Sequence, residues 1–320
     1  MHKRILFYVF FILSTHTWSQ PRLDYKNTHV VIAGVLQWKN KSINTFSSKN
    51  RKDKELYDQL IAMGVQDSNI TLLLDSNATL QAMKSAIYQQ ISKCDSTGNF
   101  IFYYAGHGMK LKDGTTYFLN YDISDSAKTG FDVRYLSKTI NEFFHGKNIF
   151  LLADCCYSGT LLNECNAIST KGTSAYALSS AMSSNISTVN WTFTQTLLDC
   201  LRGESLADRD GDGNITYAEL SEEIKEAMKY RERQLSGFGT KNGNLNLVIT
   251  ASQPSKPQKA KGEKESFALG NYVIAWNKTK WEPARIVDIV NDKFQCEFYH
   301  YSDKQYETLP PRALKTYYFF

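Results

Sequence analysis

The stretch NFIFYYAGHG, Asn99–Gly108, is an apolar, aromatic run that breaks off at a histidine set between two glycines. The run Asn99–Tyr104 suits a strand buried on both faces, and Ala105-Gly106-His107-Gly108 suits a sharp turn after it. The pattern recurs downstream, where NIFLLA (Asn148–Ala153) runs into Asp154-Cys155-Cys156-Tyr157-Ser158-Gly159. Working outward, His29–Val35, Ile70–Asp75, Ala175–Ser179 and Leu245–Thr250 read as further strands. Between them lie helical patterns near Arg51–Met63, Ala78–Ser92 with Asn77 as cap, Arg134–Phe144, Thr192–Leu201 and Tyr217–Tyr230. Buried strands alternating with helices predict an α/β unit: a mostly parallel sheet flanked by helices.

In such sheets, ligands sit beyond the carboxyl ends of the strands. Two of those ends here carry reactive side chains, His107 and the Cys155-Cys156 pair. A thiol is a strong nucleophile only as thiolate, and a neighbouring imidazole supplies the activation. Glycines around His107 let the backbone turn and expose the ring. Backbone N–H groups near Cys156 and Gly108 are placed to hold an oxyanion formed on attack.

YYAGHG (Tyr103–Gly108) and DCCYSG (Asp154–Gly159) resemble the two catalytic motifs of the caspase-like cysteine peptidase superfamily, caspases and metacaspases. Cys156 follows His107 by 49 residues, the order and spacing of that resemblance. YFLNYD (Tyr117–Asp122), FTQTLLDCLRG (Phe193–Gly203) and VITAS (Val248–Ser252) extend the likeness over residues 28–253. It implies that Cys156 is the nucleophile and His107 the general base, with Cys155 a small core or pocket residue. Asp154 stands where metacaspases and related enzymes have Asp and caspases have Gln, which implies peptide substrates with Arg or Lys at P1. Asp53 resembles a second pocket carboxylate, and reads equally as a solvated acid at a helix start. Ala105 stands where the family often has Ser, so one pocket hydroxyl is missing. Lys171, in the loop where caspases are often cut, is a site for self-cleavage.

A second motif runs from Asp208 to Glu219. Oxygen-bearing residues Asp208, Asp210, Asp212, Thr216 and Glu219 occupy loop positions 1, 3, 5, 9 and 12, with Gly213 at 6 and the Asn214 carbonyl at 7. That spacing matches an EF-hand-like loop and implies Ca2+ as cofactor. After Ser252 the composition turns Pro- and Lys-rich, so residues 254–266 read as a linker. Beyond it, Tyr272–Trp276, Ala284–Ile289 and Phe294–Tyr299 alternate like strands, and residues 267–317 resemble a small all-β Tudor or SH3-like barrel. The resemblance offers Trp276, Trp281, Phe298 and Tyr301 as an aromatic cage. However, Glu282 stands where cage-forming examples carry an aromatic, and these side chains read first as core or as a docking face for a protein partner.

Residues 1–19 have the basic start, short apolar run and small residues of a cleavable signal, so export to the periplasm or beyond is expected. The formal charge is +5, and Lys3 and Arg4 lie in that leader, leaving +3. So mild a charge, with no basic run among aromatics, gives no case for nucleic acid, and none for a membrane once the leader is gone. The six cysteines show neither a disulfide-scaffold spacing nor paired CxxC motifs. His145 lies at a helix end, where it reads as favouring the helix dipole, and His29 and His300 have no partner motif. The competing reading is a catalytically silent, calcium-binding scaffold whose barrel recruits a partner.

Overall fold

The computed structural model describes residues 20–183, 190–254, 267–300 and 303–317; the leader, most of the linker and Tyr301 lie outside them. In chain order the first unit begins β1 (Thr28–Gly34), α1 (Lys52–Ala62), β2 (Ile70–Leu74), α2 (Leu80–Lys93) and β3 (Asn99–Ala105). Three short strands follow, β4 (Gly108–Lys110), β5 (Thr116–Phe118) and β6 (Phe131–Asp132), then α3 (Arg134–Phe143), β7 (Asn148–Asp154), α4 (Leu161–Ala167) and β8 (Ser174–Ser179). It ends with α5 (Thr192–Leu201), β9 (Asn214–Thr216), α6 (Tyr217–Glu232), β10 (Gly237–Lys241) and β11 (Val248–Ala251). The second unit holds β12 (Tyr272–Trp276), β13 (Trp281–Val290), β14 (Lys293–His300), β15 (Asp303–Leu309) and β16 (Leu314–Thr316).

Six strands form one sheet in the order β10-β8-β7-β3-β1-β2. All its pairings are parallel except the edge strand β10, which runs antiparallel to β8. The fold class is the expected one, with the antiparallel edge as an addition. β10 (GFGTK) has two glycines and no apolar run, so its sequence carries little strand signal. Alternate residues of β3 serve two cores. Phe100, Phe102 and Tyr104 meet α2, α3 and α4, while Ile101, Tyr103 and Ala105 meet α1, α5 and α6. At the carboxyl ends, the register aligns Gly34 with Ala105 and Ala105 with Asp154, one row on a single face.

Two local expectations are corrected. Thr79, not Asn77, caps α2, its side chain accepting from Ala82 N at 3.2 Å; Asn77 belongs to a separate short turn. The last strand of the first unit begins at Val248 and pairs with β9, outside the main sheet.

The second unit is a five-stranded antiparallel sheet, ordered β15-β14-β13-β12-β16, around a small core of Val273, Ile286, Cys296, Phe298 and Leu314. It packs on α5 and α6 through ions. Arg285 pairs with Glu223 where both are almost wholly buried, Arg231 meets Glu297 at 2.5 Å, and Lys304 meets Asp199 at 2.7 Å. The Tyr272 ring stacks on Tyr230 at 5.0 Å. No helix among the described residues is long and apolar enough to cross a membrane.

Candidate active site

The two reactive turns touch. His107 and Cys156 each lie two residues beyond the paired positions Ala105 and Asp154 on neighbouring strands. A Cβ on Gly108 would come 2.0 Å from the Cys156 carbonyl oxygen and 3.4 Å from Cys155 Sγ, so only glycine lets the backbones approach this closely. Just past the thiol, Tyr157 adopts the left-handed conformation at φ 58, bending the chain off the strand.

His107 is half-buried and fixed on three sides. Trp38 and Phe46 flank its ring, with centroids 4.7 and 4.3 Å away. Its Nε2 lies 2.8 Å from the carbonyl oxygen of Asn44. A carbonyl only accepts, so Nε2 carries the proton and Nδ1 is left as the basic nitrogen. Tyr104 OH and Leu119 N both donate to the His107 carbonyl, at 2.9 and 3.0 Å. Burial lowers the His107 pKa below its ordinary value, opposed by the bond to Asn44, so the ring is neutral at pH 7. Cys155 is buried in the core beneath, its thiol pushed well above the ordinary range by that burial, whereas Cys156 is half-exposed.

Asp154 ends β7 beside this pair. Burial raises its carboxyl to about 7 against an ordinary 3.8, opposed by hydrogen bonds from Thr194 and Ser180, and the charge of Glu232 adds to the rise. Thr194 donates to it through Oγ1 at 2.7 Å and N at 3.3 Å, and the same hydroxyl lies 2.6 Å from Tyr103 OH. Ala105 lies between Gly34 and Asp154 in the row, so the side chain beside Asp154 on β3 is only a methyl group.

A match to the caspase-domain family model (peptidase C14) runs over residues 46–245, more than half of the chain. The chain belongs to the caspase-domain family. A cysteine-peptidase type of function, with protein or peptide substrates, follows from that family. Among solved structures, a Geobacter sulfurreducens protein shares 13% identity over 71% of this chain and 100% of that one, with a TM-score of 0.50. The Drosophila initiator caspase Dronc shares 9% over 72% and 84% at a TM-score of 0.46. Caspase-1 from Spodoptera frugiperda shares 12% over 74% and 93% at 0.45. At these identities the likeness is one of fold. No curated protein matches the chain.

Other expected residues fall differently around this caspase domain. Asp53 is 0% exposed, not solvated at its helix start. Both its oxygens accept from Arg51, at 2.7 and 2.8 Å, and Arg51 also holds Asp75 at 2.7 Å. The second carboxylate is therefore occupied by the chain's own arginine. Arg51 is a near neighbour of Asp53 in sequence, whereas Asp75 is contributed from beyond β2. Lys171 is exposed in the turn between α4 and β8.

The acidic loop is partly assembled. Single oxygens of Asp208, Asp210 and Asp212 lie within 4.8 Å of one another, and Gly213 has the left-handed φ of 86 that such a loop needs. Glu219 instead faces the start of α6: it accepts from Thr216 N at 2.9 Å and Arg209 N at 2.8 Å, in a capping box with Thr216. The three aspartates are hard oxygen donors of the kind calcium takes. Arg22 reaches the Asn214 side chain at 2.6 Å.

In the C-terminal unit, Phe298 is 1% exposed and belongs to the core, which removes it from any cage. Trp276 and Trp281 are opposed across β12 and β13, each 38% exposed, with ring centroids 5.6 Å apart. Lys315 Nζ lies 3.8 Å from the Trp281 ring, so one indole face already carries a cation.

Proposed function

We propose that this chain is a cysteine endopeptidase cleaving after Arg or Lys, with Cys156 as nucleophile, His107 as base and Asp154 as the P1 carboxylate. The observation that carries this reading is the contact of the two turns together with the Nε2 bond to Asn44. Nδ1 of His107 takes the Cys156 proton, and the sulfur attacks the peptide carbonyl carbon. Backbone N–H groups at Cys156 and Gly108 receive the oxyanion. As the tetrahedral species collapses, the C–N bond breaks and His107 returns its proton to the leaving amine. Water, deprotonated by the same imidazole, then hydrolyses the thioester and restores the thiol.

A basic P1 side chain above Ala105 meets Asp154 and ionises it, so binding such a substrate near neutral pH releases a proton. Calcium would be held by Asp208, Asp210 and Asp212 with the Asn214 carbonyl, Thr216 and Glu219, and would supply charge neutralisation at the entrance to α6. Export through the 1–19 leader, and a protein partner on the Trp276–Trp281 face, complete the reading.

The test is hydrolysis of peptides ending in Arg, Lys or Asp by residues 20–320, with calcium and with chelator, beside Cys156→Ala. Arg or Lys cleavage that vanishes in the variant, and alkylation at Cys156 well ahead of Cys155, are expected. Asp cleavage would overturn the role given to Asp154. Absence of any cleavage, with Cys156 slow to alkylate, would favour the silent scaffold.

A further inference from the structure

The turn that ends α6 reaches the walls of the Asp154 pocket by two routes. Glu232 accepts from Thr192 Oγ1 and from Asn190 Nδ2, the latter at 3.0 Å. Thr192 opens α5, and two residues on, Thr194 holds Asp154. Gln234, almost fully buried, donates Nε2 to the Ser180 carbonyl, and Ser180 hydrogen-bonds to Asp154. Arg233 between them is left-handed at φ 52, which sends its two neighbours to different walls. Immediately before this pair, Arg231 crosses to the second unit. Its guanidinium pairs with Glu297 of β14 at 2.5 Å and lies 5.8 Å from the Tyr272 ring centroid. Glu297 is further tied by Lys304 at 3.2 Å and Tyr306 OH at 3.1 Å.

A helix C-terminus ordinarily frays, because its last carbonyls lack helical partners. Here a charge-assisted pair with little solvent access fixes that end, and such pairs are strong and directional. We propose that Glu232 and Gln234 are positioning residues for the Asp154 pocket, and that Glu297 of the C-terminal unit holds them in place through Arg231. The proposal rests on the assignment of Asp154 to substrate binding. It gives the second unit a part in substrate recognition without contact with substrate.

The titratable groups around Asp154 are Glu232 from α6, Tyr103 from β3, its neighbour Cys155, and beyond Tyr103 the Arg51–Asp53 pair at the start of α1. Displacing the turn removes a negative charge and admits water, which lower the Asp154 titration midpoint. Loosening the Thr194 and Ser180 bonds acts the other way, and water entry prevails because burial is the largest cause of the rise.

The test uses the full chain with Glu297→Gln, Glu232→Gln and the double variant. The Asp154 carboxyl is titrated by 13C NMR, with Asp154→Asn identifying its signal. Glu297→Gln is expected to move the midpoint from about 7 toward the ordinary carboxylate range. It should raise KM for an Arg peptide about tenfold while kcat stays within about twofold, and the double variant should add nothing further. An unmoved midpoint in Glu297→Gln, or KM increases that multiply in the double variant, would overturn the proposal. If Glu297→Gln does not fold, Lys304→Met decides in its place, since it loosens Glu297 and leaves Glu232 charged. Should the wild type ignore Arg and Lys peptides, the substrate assignment falls, and the titration alone still decides whether the turn positions Asp154.

Discussion

Asp154 shows how one residue's environment can be read as both stability and chemistry. Its carboxyl titrates at about 7 when folded and near 3.8 otherwise, because burial opposes the charged form. The folded state therefore binds a proton that the unfolded state has already lost between those values. Asp154 costs the fold nothing below pH about 4, and the cost accumulates from there until the folded carboxyl ionises at about 7. Asp154→Asn is accordingly expected to raise stability at pH 8 by about 1–3 kcal/mol and to leave it nearly unchanged at pH 4, read by thermal unfolding at both. His107, Cys156 and Asp154 were legible in the sequence because each sits next to a strand end in a contiguous motif. The Asp75 that holds Arg51 on Asp53, and the Asn44 carbonyl, were not, since these contacts join residues far apart in the chain. Glu232 and Gln234 were missed for the same reason: polar residues at a helix end look like solvated surface until the neighbouring chain is in place.

At the scale of elements, the site depends on two strand-to-turn junctions meeting without side chains between them. Gly108→Ala places a methyl 2.0 Å from the Cys156 carbonyl, and the atom in the way is backbone. Loss of peptide hydrolysis and a destabilisation of about 2–4 kcal/mol are expected. Gly114→Ala is the control. Unlike Gly108, that glycine is left-handed, at φ 86, but nothing lies within 4 Å of its added Cβ. It should cost only about 1 kcal/mol in denaturant unfolding and spare activity. The apolar runs that became β1, β3 and β7 announce themselves by hydrophobicity alone. β10 does not, because an edge strand needs no apolar face and can be built from GFGTK by pairing with β8.

For the whole molecule, α6 is the shared member. Its first turn closes the acidic loop through Thr216 and Glu219, its middle binds Arg285 through Glu223, and its last turn holds Thr192 at the start of α5. The change from an α/β unit to an all-β unit was expected from the sequence, which turns Pro- and Lys-rich after Ser252. Their ionic seam was not, since each charge reads as solvent-exposed until the other unit covers it. Glu223→Gln would leave the Arg285 guanidinium buried and short of its counter-charge, at a cost of about 3–5 kcal/mol. The wild-type units are expected to unfold in one transition, and this variant in two, the C-terminal unit first, followed by Trp fluorescence and far-UV circular dichroism together.

The orienting partner of His107 is a main-chain carbonyl, and this has a consequence for how the site can vary. No exchange of side chain at position 44 removes that acceptor, so the base keeps its tautomer through substitutions that would silence an enzyme relying on a carboxylate. What the imidazole cannot survive is a change in the path of residues 38–46, which deliver Trp38, Asn44 and Phe46 to it together. Chain length in that loop, rather than chemistry at any one position, sets where the ring stands.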